Sequence, residues 1–420
     1  MQTDFDVIVV GAGPSGTTAA FRLKRFGYRV LLLDKQQFPR VKPCGGGISI
    51  KALNLMPWSV APVIERAVKK LGMGVTSPAT ERFEVFEAEG HVCAFAVREA
   101  FDRFNFEKPI VAGVEFEHTA ELSGIDERSD FVRAILGNKT ITARYLIGAD
   151  GANSTVRRLL GAGRWFYRGF ALEGSVAYSD VPTEPLAEFF FGKVENGYGW
   201  LFPKGDHVNV GIYTWDDTVT LSKEQLRAYS LDRIDTERLE HIVGFPIGFG
   251  GRNYVQNRER VILVGDAAGF AEPLLGEGIY NALKSGQAAA SAIMAFDDGR
   301  SSSLRLAYKK ELDPIYNDLT RCEDLKDFFY ANLDGIGYGV LNFPVSKTAL
   351  MRGFAAGRTM YELTNTFFLS PFFEPAQPPG LREFLSRTHA DGCVPSPEEA
   401  GLGSLDLHTA GAAARLVTRR

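Results

Sequence analysis

Cysteine is scarce and unpaired in this sequence: Cys44, Cys93, Cys322 and Cys393 are the only four in 420 residues. With no CxxC pair, neither a disulfide framework nor a cysteine-held zinc or iron–sulfur centre organises the chain, and a reducing, cytoplasmic compartment is expected. The six histidines are dispersed, without HExxH or a pair at helical spacing, so no metal site is expected. Basic excess is missing too. Forty-seven Lys and Arg against 51 Asp and Glu leave a net charge of −4, which argues against nucleic acid as a partner. No apolar run approaches the ~18 residues of a spanning helix, and Met1 leads into Asp4-Phe5-Asp6-Val7 without the basic start and cleavage site of an export signal. Any membrane contact is therefore expected to be peripheral. There is also no GxSxG elbow, no P-loop and no second complete dinucleotide fingerprint.

What is present describes a folded chain. Hydrophobic residues make up 45% and charged residues 23%, enough for a large core. The length suits two to three lobes or one catalytic unit of discontinuous domains. Phenylalanine is abundant, with 31 residues, and clusters at Phe189-Phe190-Phe191, Phe328-Phe329-Tyr330 and Phe367-Phe368. Such clusters serve either ordinary aromatic packing or an apolar ligand.

The first motif is an apolar run, Val7 to Val10, followed by Gly11-Ala12-Gly13-Pro14-Ser15-Gly16 and a helix expected over 17–26. A second run, Arg29 to Leu33, ends at Asp34, 18 residues after Gly16. Together they predict a βαβ unit for a dinucleotide: glycines admit the pyrophosphate, the helix start supplies free N–H groups, and Asp34 accepts from a ribose hydroxyl. Two later segments repeat a strand-and-turn plan. They are Ala143 to Arg158, with Asp150-Gly151 at the turn, and Arg260 to Gly269, with Gly265-Asp266 placed for a cofactor's ribityl hydroxyls. Glu272-Pro273-Leu274-Leu275-Gly276-Glu277-Gly278-Ile279 then opens a small-residue helix from Tyr280 to about Phe296.

In this order and spacing, the three segments resemble the fingerprints of flavoproteins with the para-hydroxybenzoate hydroxylase fold, over about the first 300 residues. The resemblance implies tightly bound FAD. It assigns Arg98 a place near the flavin, the alternative being a surface helix cation. Two further segments narrow it. Lys42-Pro43-Cys44-Gly45-Gly46-Gly47 follows the second strand, and Gly197-Tyr198-Gly199-Trp200-Leu201-Phe202-Pro203-Lys204 alternates aromatics so that Tyr198, Trp200 and Phe202 share one strand face. Both resemble motifs of the geranylgeranyl reductase family, which implies reduction of carbon–carbon double bonds in a polyprenyl chain.

By that resemblance Cys44, Gly45, Tyr198 and Trp200 are the candidate catalytic residues, and Tyr198, Trp200, Phe202 and Pro203 line the substrate pocket. Gly11, Gly13, Ser15, Gly16, Asp34, Lys35, Cys44, Gly45, Arg98, Ala120, Asp150, Asp266, Gly276, Gly278 and Ile279 would contact the cofactor. Cys44 donates a proton, shields an intermediate or packs; Lys204 holds a headgroup or caps its strand. The expected substrate is an isoprenoid lipid, quinone or pigment, with NAD(P)H, reduced ferredoxin or another redox partner protein as donor. A flavin monooxygenase or halogenase of the same fold, and a quinone-linked flavin electron carrier, are the alternatives.

The expected fold is α/β, α+β overall: a Rossmann-like FAD-binding domain (1–75, 95–160 and 255–300), an inserted mixed-sheet substrate domain (76–94 and 161–254) and a C-terminal helical region (301–420). Within the last, helical spacing is read over 304–312 and 317–333. The segment from Phe367 to Pro375 closes the lipid tunnel, dips into a membrane surface or packs between helices, and the tail after Pro395 is expected to be loosely ordered.

Overall fold

The computed structural model describes residues 2–119, 122–367 and 372–386. Ala120, residues 368–371 of the apolar C-terminal segment and the tail after Pro395 lie outside the described residues.

Phe5–Val10 (β1) forms the middle of a parallel array because Val7, Ile8 and Val9 are covered on both faces, which suits an unbroken, β-branched run. It pairs in parallel with Val30–Asp34 (β2) and Lys139–Gly148 (β11). Glu115–His118 (β8) extends the sheet beyond β2. The long β11 pairs through its first half with Val132–Leu136 (β10), itself paired with Leu122–Glu127 (β9), and through its last residues with Val261–Leu263 (β17). The strand ends of β1, β2 and β11 therefore lie together, at one edge of the sheet.

A second seven-stranded sheet carries the aromatic motif. Its order is Glu240–Phe249 (β16), Tyr167–Ala177 (β12), His207–Thr214 (β15), Gly197–Pro203 (β14), Glu188–Phe191 (β13), Lys70–Thr76 (β5) and Glu81–Glu87 (β6). All pairs are antiparallel except β13 with β5. A third, small sheet holds Gly47–Ser49 (β3), Cys93–Phe95 (β7) and Arg66–Val68 (β4).

Pro14–Arg25 (α1) starts with proline at its first turn, where the missing N–H costs nothing, and ends before Gly27. Against it lies the small-residue helix Ile279–Asp297 (α6). A Cβ on Gly286 would stand 2.3 Å from the Ser15 carbonyl oxygen, so these helices meet backbone to backbone. Ile50–Leu55 (α2), Arg98–Val111 (α3), Thr155–Leu159 (α4) and Lys223–Ile234 (α5) complete the two main layers.

The C-terminal helices are Leu304–Ala331 (α7), Leu333–Asn342 (α8), Pro344–Ala355 (α9), Met360–Asn365 (α10) and Pro379–Leu385 (α11). Here the structure differs from the sequence reading: the two expected helical stretches are one helix, α7, running through Pro314. Proline inside a helix costs about 3 kcal/mol. The buried stripe Leu304, Tyr308, Leu312, Ile315 and Leu319 packs against the main core on both sides of the proline and outweighs that cost. Among the described residues, no helix is long and apolar enough to cross a membrane.

Candidate active site

One cavity of about 510 Å³ runs from the glycine motif to the aromatic strand. At the first end, Gly11 has φ +105°, and a Cβ there would lie 2.3 Å from the Ala149 carbonyl oxygen, so only glycine permits the turn out of β1. Gly16 is packed onto the Gly11 carbonyl and does not line the cavity. Gly13 fronts open space, with Arg40 Nη2, 3.6 Å from an added Cβ, as its nearest neighbour. No side chain caps the first turn of α1, which leaves its N–H groups for an anion. Asp34 accepts from the N–H groups of Ala12 at 2.7 Å and Gln36 at 2.8 Å, and each carboxylate oxygen keeps a lone pair for a hydroxyl.

Asp150 has a second task that its motif did not reveal. It accepts from Ser154 Oγ at 2.5 Å, Thr155 N at 2.6 Å and Val156 N at 3.0 Å, and so holds the start of α4. Burial pushes its pKa up against these bonds. Asp266 is likewise pushed up by burial, while Lys42, Arg98 and Arg157 pull it down. Arg98 is only 8% exposed, which removes the surface-cation alternative. Its Nε and Nη2 both donate to Asp102 at 3.1 Å, and Arg40 pairs with the same carboxylate. Burial alone lowers the Arg98 pKa, but Asp102 and Cys44 reverse that and raise it.

The loop carrying Cys44 is clamped from two sides. Glu173, on β12, accepts from Cys44 N at 2.7 Å; Lys204, following β14, donates to Gly45 O at 2.6 Å and Ala96 O at 2.9 Å. Gly46 has φ +68°, and a Cβ there would meet Ala96 O at 2.0 Å, so the loop follows this path only with glycine. Gly46 N donates to Cys44 Sγ at 3.4 Å. Burial lowers Lys204 to about 8, although Glu65, Cys44 and Glu173 oppose it, and burial raises Glu173. Lys204 is 2% exposed and does not line the cavity; it is a buried clamp on the loop.

The far end is the aromatic wall. Strand alternation sends Tyr198, Trp200 and Phe202 into the cavity, whereas Leu201 joins the core under α5. Pro203 falls on Leu201's side and does not line the cavity, a correction to its expected place in the pocket. The strand is buried throughout. Trp200 Nε1 donates to Asn209 Oδ1 at 2.7 Å, and its indole covers Gly211, where a Cβ would lie 1.9 Å from the ring. Three tyrosine hydroxyls donate to successive carbonyls: Tyr213 to Pro273 at 2.8 Å, Tyr330 to Leu274 at 2.9 Å and Tyr198 to Leu275 at 2.5 Å. Together they fix the turn that carries Gly276 and Gly278.

The cavity thus gathers Gly11, Gly13, Ser15, Asp34, Lys35, Cys44, Gly45, Arg98, Asp150, Asp266, Gly276, Gly278, Ile279, Tyr198, Trp200 and Phe202. Sequence reasoning missed Lys42, Glu173, Glu272 and Phe354, which line it as well. Glu173 carried a usable signal, a lone acid in the apolar run Ala171-Leu172-Glu173-Gly174-Ser175-Val176. Phe354 carried none, because its place depends on how the C-terminal helices fold back.

These residues fit a flavin dinucleotide: an open, uncapped glycine turn for the pyrophosphate, a carboxylate at the ribose end, and a long cavity that passes the glycine-lined Cys44 loop. A sequence model described as FAD binding domain matches residues 4–227. The geranylgeranyl diphosphate reductase of Rhodobacter capsulatus is 31% identical over 76% of this chain and 84% of its own length. A menaquinone reductase of Mycolicibacterium smegmatis is 32% identical over 69% of this chain and 76% of its own. Among solved structures, a geranylgeranyl bacteriochlorophyll reductase-like protein of Thermoplasma acidophilum superposes with TM-score 0.71 at 22% identity, covering 91% of this chain and 98% of that one. The flavin-dependent brominase Bmp2 follows the same fold, with TM-score 0.65 at 17% identity over 91% of this chain and 97% of that one. The chain belongs to the geranylgeranyl reductase family of FAD-dependent oxidoreductases.

Proposed function

We propose that this protein saturates carbon–carbon double bonds of a polyprenyl chain. The observation that carries this reading is the continuity of the cavity, from the dinucleotide turn at Gly13, past the clamped Cys44 loop, to the Tyr198–Trp200–Phe202 wall. Reduced FAD supplies a hydride to one alkene carbon when bound there. The chain's residues supply the rest. The aromatic wall aligns the prenyl chain and excludes water, which matters because an isolated alkene has no polar handle to orient it. Cys44 holds the proton at Sγ and passes it to the neighbouring carbon. Arg98, which lines the same cavity as Cys44, offsets the charge left on sulfur. Glu173 and Lys204 keep the loop in register with the cavity.

The substrate class is a prenyl diphosphate or a prenylated quinone, in keeping with relatives named geranylgeranyl diphosphate reductase and menaquinone reductase. NAD(P)H or reduced ferredoxin supplies the electrons, and a lipid substrate is taken up by peripheral contact with a membrane surface.

The test is anaerobic. Holoprotein reduced with dithionite is mixed with geranylgeranyl diphosphate or a polyprenyl quinone, and flavin absorbance and lipid mass are followed together. Gain of two mass units per bond with flavin reoxidation is expected. Unchanged lipid without oxygen, followed by oxygenation or halogenation once air and halide are admitted, overturns the reading. Flavin cycling with unchanged lipid in both conditions also overturns it, in favour of an electron carrier.

A further inference from the structure

A second recess, of about 430 Å³, opens beside the flavin cavity, and Asn153 lines both. Its charged lining is entirely basic: Arg157 and Arg158 from α4, Arg164 from the following loop and Arg168 from β12. We infer that this recess binds a phosphate- or diphosphate-bearing ligand.

Arg157 is built in. Its Nη1 donates to Ala267 O at 2.8 Å, its Nη2 to Ala152 O at 2.7 Å, and its guanidinium lies 3.4 Å over the Phe166 ring. Arg158, Arg164 and Arg168 are exposed, and none makes an ion pair among the described residues. Four cations that converge without a lining carboxylate repel one another, and a multiply charged oxyanion relieves that repulsion while accepting from several guanidinium forks. Burial lowers Arg157 to about 10, with Arg168 adding to it and Asp150 and Asp266 opposing. Gly161, also in the lining, has φ +63°, and a Cβ there would touch nothing within 4 Å. A recess lined by nine residues suits one or two phosphate groups, whereas an acidic protein needs a broad face.

The ligand has two possible sources with one chemistry: the phosphates of a nucleotide electron donor or those of a prenyl diphosphate. The probes are inorganic pyrophosphate and 2′,5′-ADP, titrated by calorimetry into FAD-loaded protein at fixed salt, so that the flavin already occupies its own pyrophosphate site. Arg158→Glu with Arg168→Glu is the variant, since neither residue lines the flavin cavity; its unchanged flavin spectrum and melting temperature establish that it is folded. If these charges prove structural, the milder Arg158→Gln with Arg168→Gln takes its place. Saturable pyrophosphate binding that weakens about tenfold or more in the variant is expected. Competition with NADPH-driven flavin reduction assigns the site to the donor, and competition with prenyl diphosphate binding assigns it to the substrate. No saturable binding, or binding equal in both proteins, overturns the inference. So does charge-dependent docking of an acidic ferredoxin without pyrophosphate binding.

Discussion

Gly13 is where a single side chain is expected to separate folding from cofactor binding. A Cβ there meets only Arg40 Nη2, at 3.6 Å, so a larger residue extends into the cavity without breaking the turn. Gly13→Val is expected to give folded, colourless protein; normal yellow holoprotein, read by absorbance at equal melting temperature, refutes the pyrophosphate assignment. Cys44→Ala removes the Sγ that Gly46 N donates to but leaves the Cys44 N–H on Glu173, so the loop keeps its main clamp. FAD content is expected to stay normal while lipid reduction slows about a hundredfold or more, the usual scale for a lost proton donor. Unchanged single-turnover rates demote Cys44 to packing.

At the scale of elements, the site is made where two sheets meet, and β14 carries its apolar half. Trp200 is held on its ring face by Gly211 and at its nitrogen by Asn209. Trp200→Ala opens a void and orphans the Asn209 carbonyl, a loss of about 3–5 kcal/mol for a buried tryptophan. Prenyl affinity is expected to fall further than FAD affinity; equal loss of both means the indole serves folding alone. Lys204→Met tests the clamp between this strand and the Cys44 loop. It leaves Gly45 O and Ala96 O without their charged donor, at about 1–3 kcal/mol for each carbonyl left unpaired. Lower melting temperature and slower lipid reduction, with flavin still bound, are expected. An unchanged melt and rate contradict the clamp.

Across the whole molecule, a buried charge cluster ties the turn from Glu272 to Gly278 to the C-terminal helices. Lys51 on α2 pairs with Glu277 at 2.9 Å and lies 3.7 Å from Asp318 on α7, while Glu272 accepts from the N–H groups of Leu274, Leu275 and Glu277. Burial raises Glu272 to about 7 from a usual 4.5, with Glu277 and Asp318 adding to it and Lys51 opposing; Cys322 also faces it. Between these values the folded chain holds a proton that the unfolded chain has released. The contribution to stability therefore falls as pH rises from about 4.5 to 7 and stays low above that, by at most about 3 kcal/mol. Glu272→Gln is expected to flatten the fall in melting temperature between pH 5 and 7.5. Parallel profiles for the two proteins place the titration elsewhere.

Local pattern determined much of this protein. The Val7–Val10 run, the glycine turn and Asp34 lie close together in sequence, and their geometry follows from strand, turn and helix rules that need no distant partner. The same holds for the alternation of Tyr198, Trp200 and Phe202, and it places Pro203 on the opposite face, where the motif alone had suggested pocket lining. Only the tertiary structure decided what surrounds these motifs. Glu173 reaches Cys44 across 129 residues and Lys204 reaches Gly45 across 159, contacts that depend on how two sheets are placed rather than on any nearby spacing. The continuity of α7 through Pro314 was decided in the same way, because burial against a distant core outweighed a local helix breaker.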